Sequence, residues 1–218
     1  MELLKSIIRC DNGYFSHYYL CPYLPLTAGS DDNSSSLVKF KQRTQPDLDT
    51  WIGHSARLLP TLLLPPNTTI LRALRHDETI VRSEFPTAID LLGQTLAARL
   101  HCHYRPDLIY KARTTLPNKH LTRHQRRTQL LDVYQLSPAA IPAAAPFPPA
   151  THIPTAALPS NPTPITPSTP ILIIDDILTT GSTIRAIIRT LRHHYPSIPI
   201  RAFTLTRADY RRTPGYPR

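Results

Sequence analysis

The most restrictive feature of this chain lies near its end. Ile171-Leu172-Ile173-Ile174 is an unbroken apolar run, and Asp175-Asp176-Ile177-Leu178-Thr179-Thr180-Gly181-Ser182-Thr183 follows it directly. Consecutive apolar residues without alternation suit a strand buried on both faces, as central strands of parallel sheets are. The strand is expected to end at Ile174. A helix is predicted from about Thr183 to Tyr195, with Ile184, Ile187, Ile188 and Leu191 on its inner side, and Ile200, Ala202, Phe203 and Leu205 give a further strand. Strand, helix and strand in this order make a right-handed βαβ unit, so the chain is α/β.

The loop between strand and helix is a candidate ligand site. Asp175 and Asp176 would emerge at the carboxyl edge of the sheet, where open α/β sheets bind ligands. The residues after them are small, hydroxylated or glycine, and they lead into a helix N-terminus whose amides and dipole favour an anion. Thr179, Thr180, Ser182 and Thr183 add hydroxyl donors. Gly181 permits a close approach and a φ that other residues resist, and the chain has only six glycines. Two aspartates suit ribose hydroxyls better than a phosphate. Together the segment reads as a clamp for a ribose 5-phosphate. Helix capping by Ser182 or Thr183 would explain one residue of the nine. No GxxxxGK[ST] is present, which excludes a P-loop.

Elsewhere a helix fits 47–59 through Leu48, Trp51, Ile52, Ala56 and Leu59. Thr68 to Leu71 suits a strand, and a helix fits roughly 86–100 with Pro86 in its first turn. Leu108-Ile109-Tyr110 suits another strand. Lys111, Arg113, Lys119, His120, Arg123, His124, Arg126 and Arg127 then make a basic stretch. Residues 1–36 carry an aromatic run and a polar stretch, Asp31 to Ser36, that reads as a turn or loop. Cys10, His17 and Cys21 match no zinc spacing, so ordinary buried or unpaired thiols are the expectation. Eleven of the 24 prolines fall between Ser137 and Pro170. That stretch should be extended and lie on the surface, because proline lacks an amide donor and fixes its φ. The expected organisation is an N-terminal segment over 1–36, the first part of a domain over 37–136, the Pro-rich insert over 137–170 and the ligand-binding part over 171–218.

The segment ILIIDDILTTGST resembles the PRPP-binding signature of type I phosphoribosyltransferases: an apolar strand, an acidic pair, then TTGxT. The apolar helix from Asp90 to Leu100, the basic segment Leu121 to Arg127 and the acidic strand-loop, in that order, resemble the competence-protein-F (ComF) family over about residues 70–210. This chain lacks that family's paired CxxC motifs. Arg82-Ser83-Glu84-Phe85-Pro86 is a distant counterpart of its RGFNQ-like motif, and the Pro-rich insert is a further departure.

The resemblance implies a type I phosphoribosyltransferase-like fold, a central, mostly parallel sheet flanked by helices. It implies an enzyme that binds 5-phosphoribosyl 1-diphosphate (PRPP), transfers its ribose 5-phosphate to the nitrogen of an acceptor small molecule and releases pyrophosphate, with Mg²⁺ bridging pyrophosphate and ribose oxygens. Asp175 and Asp176 would be the catalytic and ribose-binding acids. Arg72 and Arg75, or Arg123 and Arg127 on a mobile loop, are candidates for pyrophosphate. The formal charge of +10 favours anionic partners. It leaves open a second reading, a non-catalytic protein of the same fold that binds single-stranded DNA during uptake. No apolar run is long enough for a membrane span and no signal peptide is evident, so a cytoplasmic location is expected. The sequence sets neither the acceptor nor the oligomeric state.

Overall fold

A computed structural model describes residues 1–11, 13–24, 31–116, 122, 125, 128–138 and 164–208. In chain order its elements are β1 (Leu4–Cys10), β2 (Gly13–Tyr23), α1 (Asp32–Lys41), α2 (Asp47–Leu58), β3 (Thr69–Arg72), α3 (Ala88–Leu100), β4 (His103–Tyr104), β5 (Ile109–Lys111), β6 (Tyr134–Leu136), β7 (Ile171–Leu178), α4 (Ser182–His194) and β8 (Ile200–Ala208). Six strands form one sheet in the order β1-β2-β8-β7-β3-β4. All neighbours in it are parallel except the β1–β2 hairpin. β5 and β6 make a separate antiparallel pair.

The apolar run does what its composition requires. β7 is central, between β8 and β3, and residues 171–174 are fully buried. Side chains alternate across a strand. Ile171 and Ile173 therefore pack with Ile184, Ile187, Ile188 and Leu191 of α4. Leu172 and Ile174 pack on the opposite face with Leu37 and Phe40 of α1, Leu48 and Trp51 of α2, and Leu92 and Leu96 of α3. Each helix has buried one apolar stripe against one side of the sheet. The architecture is the expected α/β fold, a mostly parallel sheet flanked by helices.

Several local expectations change. β7 continues through the acidic pair to Leu178, because Asp175, Ile177 and Leu178 stay in register with Thr204, Thr206 and Arg207 of β8. The polar stretch from Asp31 is the start of a helix: Asp31 caps α1, its Oδ1 accepting from the amide of Ser34 at 2.7 Å. Pro86 lies before α3, which is capped by Thr87. Asp90 answers Thr87 in a capping box, accepting from the Thr87 amide at 2.7 Å. The N-terminal hairpin joins the main sheet through β2, parallel to β8. His17 of β2 is fully buried there, with Nδ1 bonded to Ser6 Oγ at 2.8 Å and Nε2 to Thr204 Oγ1 at 2.9 Å. Both ring nitrogens thus meet hydroxyls, which accounts for His17 without a metal. Residues 139–163 of the Pro-rich stretch lie outside the described residues. The described flanks of that stretch are largely exposed, as at Pro138, Pro164 and Thr166 to Ser168, but they are anchored to the domain: Ser137 and Ile165 are buried, and the carbonyl of Pro170 accepts from Thr69 at 2.8 Å. Cys10, Cys21 and Cys102 are free thiols. Among the described residues no helix is long and apolar enough to cross a membrane.

Candidate active site at the carboxyl edge of the sheet

Asp175 and Asp176 stand at the end of β7, on opposite faces of the strand. Asp176 turns toward the α1 side, where its Oδ2 lies 2.9 Å from Nζ of Lys41. Burial works against the Lys41 ammonium, but the Asp176 charge and hydrogen bond outweigh it, and its pKa is raised. Asp175 faces the other side, and its Oδ1 accepts from the Asp176 amide at 2.9 Å. Burial first, and then the charge of Asp176, push the Asp175 carboxyl up to about 7, against the pull of Lys41 and Arg72. An acid so placed exchanges its proton near neutrality, which suits a group that must respond to an incoming ligand.

After Leu178 the chain turns into α4 through Thr179, Thr180 and Gly181. Gly181 is the N-cap at φ 72°, a left-handed conformation that side-chain-bearing residues resist, and no side chain caps the helix. The first amides of α4 therefore face the loop uncapped by any side chain, as an anion site requires. Thr180 Oγ1 and Ser182 Oγ are 2.8 Å apart, and Arg185 reaches back to donate to the Thr180 carbonyl at 2.5 Å. Thr179 is exposed and Thr183 half-buried. Thus Asp175, Asp176, Thr179, Thr180, Gly181, Ser182 and Thr183 are brought together as one continuous strand-end and loop.

The turn after β3 lies beside them, since β3 pairs with β7. Arg72, a candidate for pyrophosphate, is 1% exposed and its guanidinium is occupied by the protein. Nε donates to Asp90 Oδ1 at 2.5 Å, and the two terminal nitrogens donate to Glu78 at 2.7 and 3.0 Å. A residue so enclosed orders the turn. Glu78 continues the network by accepting from the backbone amide of Arg75 at 2.7 Å. Arg75 itself is exposed, with Asp77 beside its guanidinium at 3.2 Å. Arg123 and Arg127 lie outside the described residues.

Two lysines belong to the site's surroundings. Lys41 was hidden because the serine-rich start of α1 does not read as helix. Lys111 stood in the sequence as one member of a basic run, yet it is 3% exposed on β5. Its Nζ donates to the Arg75 carbonyl at 2.5 Å and sits 5.5 Å from the centre of the Tyr134 ring. Burial lowers its pKa to about 8, while Glu78, Asp77 and Asp175 oppose that shift. Lys111 therefore pins the turn that carries Arg75 and lends positive charge to the Asp175 side.

Among the described residues no group of three or more His, Cys, Asp or Glu could hold a metal ion by itself. No curated protein matches the chain. Residues 138–215, which contain β7, the loop, α4 and β8, match a family model described as the phosphoribosyl transferase domain. With the parallel sheet and the acidic strand-end, that match makes the fold type I phosphoribosyltransferase-like and supports PRPP-using phosphoribosyl transfer in general.

Proposed function

We propose that the chain is a phosphoribosyltransferase: it binds PRPP, transfers the ribose 5-phosphate to the nitrogen of a small-molecule acceptor and releases pyrophosphate. The observation that carries the reading is the continuity of an acidic strand-end with a helix N-terminus whose N-cap is Gly181 and whose amides no side chain caps. The 5-phosphate would occupy the amides and hydroxyls of Thr179 to Thr183. The ribose hydroxyls would donate to Asp175 and Asp176, which approach from the two faces of β7.

In the reaction the bond from C1 to pyrophosphate breaks and a bond from C1 to the acceptor nitrogen forms, while the nitrogen gives up its proton. Positive charge develops on the ribose and negative charge on the leaving group. Arg75, exposed on a turn held by Arg72, Glu78 and Lys111, would meet the pyrophosphate. Arg123 and Arg127 are proposed to close over it from the basic segment. Asp175 is placed to take the acceptor's proton, its pKa being raised to about 7.

The residues fit Mg²⁺ of a particular kind. Among the described residues the site offers one carboxylate on each face of β7 and no group of three, so an ion would arrive on PRPP oxygens and keep several waters. Asp176 would hold it, and when bound it neutralises charge on the departing pyrophosphate.

The test is pyrophosphate release, measured with PRPP and Mg²⁺ against a panel of amine and nucleobase acceptors. Release that depends on both PRPP and one acceptor supports the enzyme. Salt-sensitive binding of a single DNA strand without turnover would favour a binding protein of the same fold.

A further inference from the structure

A cavity of about 510 Å³ opens beside α4, away from the acids of β7. Its lining includes Arg9, Cys10 and Asp11 at the β1–β2 turn, and Arg185, Arg189 and Arg192 on α4. Among the described residues, four arginines against one aspartate give a net of three positive charges around one small space. Neither Asp175, Asp176 nor Arg75 lines it, and Ser182 is the residue it shares with the phosphate loop.

The three helix arginines recur at spacings of four and three, so they share one face of α4 and repel one another. Packing does not require them there, because Ile184, Ile187, Ile188 and Leu191 already bury the helix against the sheet. Asp11 Oδ2 lies 3.2 Å from Arg189, and Arg185 and Arg192 donate to the carbonyls of Thr180 and Pro196. Among the described residues, Nε of Arg192 is buried with no hydrogen-bond partner. Like charges gathered around one cavity repel one another, and a multivalent anion would relieve that repulsion.

We propose that this cavity binds a small polyphosphate anion, of the class of a nucleoside triphosphate or inorganic tripolyphosphate, at a site separate from the PRPP clamp. The volume lies in the range of small-ligand sites. A nucleic-acid strand would call for exposed rings on which bases stack. Among the described residues no aromatic ring lines the cavity, and Phe15, under the Arg192 guanidinium at 5.3 Å from its centre, is 4% exposed. Because Arg185 also holds the Thr180 carbonyl, an anion that draws on Arg185 acts on the phosphate loop as well.

Cys10 makes the cavity observable, since its half-buried thiol lies in the wall. The probe is inorganic tripolyphosphate in Mg²⁺-free buffer at fixed ionic strength. Carbamidomethylation of Cys10 by iodoacetamide, followed by peptide mass spectrometry, is read beside calorimetric affinity. Tripolyphosphate should slow Cys10 labelling and leave Cys102 labelling unchanged. Arg189→Gln, at a half-exposed position that does not hold the core, should weaken binding about ten-fold, the weight of one charge-assisted contact. Asp175→Asn with Asp176→Asn should leave both readouts within about two-fold, so failure here is distinct from failure of the PRPP site. No protection of Cys10, unchanged affinity in Arg189→Gln, or loss of protection in the aspartate variant would each overturn the proposal. Protection by a single-stranded oligonucleotide at lower concentration than tripolyphosphate would overturn it in favour of a nucleic-acid track.

Discussion

Replacing Arg72 by methionine separates a structural arginine from a ligand-binding one. The substitution keeps most of the side-chain volume but removes a guanidinium that donates to Asp90, Glu78 and the Ala73 carbonyl. Asp90 is 4% exposed at its side chain and Glu78 is 20% exposed, so the two acids lose their countercharge inside the protein. Removing one partner of a buried ion pair costs about 3–5 kcal/mol. Asp90 still accepts from the Thr87 amide, the Thr87 hydroxyl and the Tyr104 hydroxyl at 2.6 to 2.7 Å, which favours the lower end. A loss of about 3 kcal/mol, with a urea slope of about 2 kcal/mol per molar, moves the unfolding midpoint down by roughly 1.5 M. Adding Asp90→Asn to Arg72→Met removes one stranded charge and should recover part of that loss. Urea unfolding followed by circular dichroism gives the midpoints, and calorimetry gives PRPP affinity for the folded protein. An unchanged midpoint combined with a large fall in PRPP affinity would refute the reasoning, because Arg72 would then be meeting the ligand directly.

Acid should weaken the N-terminal hairpin's attachment through His17, whose pKa is lowered from 6.5 to about 3 by burial and then by Arg207. The unfolded chain takes the proton first, so its contribution is complete above about pH 6.5 and is lost as pH falls toward 3. By pH 5 the loss is about 2 kcal/mol, and His17→Gln should flatten that slope between pH 7 and 5; an equal slope in both proteins would contradict it. Gly93→Ala should destabilise by about 1–3 kcal/mol despite the better helix propensity of alanine. An added Cβ there meets the Tyr104 ring, which holds Asp90, and a raised melting temperature would refute this. Lys41→Met should weaken PRPP binding about five-fold, near the 1 kcal/mol of a partly exposed pair, with the fold intact by circular dichroism. Tighter binding would mean that Lys41 competes with the ribose for Asp176.

What was legible in the sequence is what a single local pattern determines. Residues 171–174 had to be a central strand because no one-sided environment accepts four apolar residues in a row. The turn after them was legible because the small residues Thr179 to Ser182 lead into a helix, and Gly181 is its N-cap at φ 72°. α2 and α3 showed themselves by apolar spacing. The remainder depends on contacts distant in sequence. The hairpin of Leu4–Tyr23 mixes polar and aromatic residues on both faces, and becomes intelligible only when β2 meets β8. Arg72 looked like a ligand arginine because its charge is visible and its partners, Glu78 and Asp90, are ordinary acids elsewhere in the chain. Lys41 could not be assigned to Asp176, more than a hundred residues away, before the α1 side of the sheet was known. The strand's continuation through the acids was likewise set by β8, whose partner residues hold Asp175 and Ile177 in register.

The central claim is that Asp175, Asp176 and the Thr179–Thr183 loop clasp the ribose 5-phosphate of PRPP. Calorimetric titration of the purified protein with PRPP, with and without Mg²⁺, beside the Asp175→Asn, Asp176→Asn double variant tests it most directly. The account predicts binding that is strengthened by Mg²⁺ and lost in a double variant whose circular dichroism is unchanged. Equal affinity in the two proteins would contradict it.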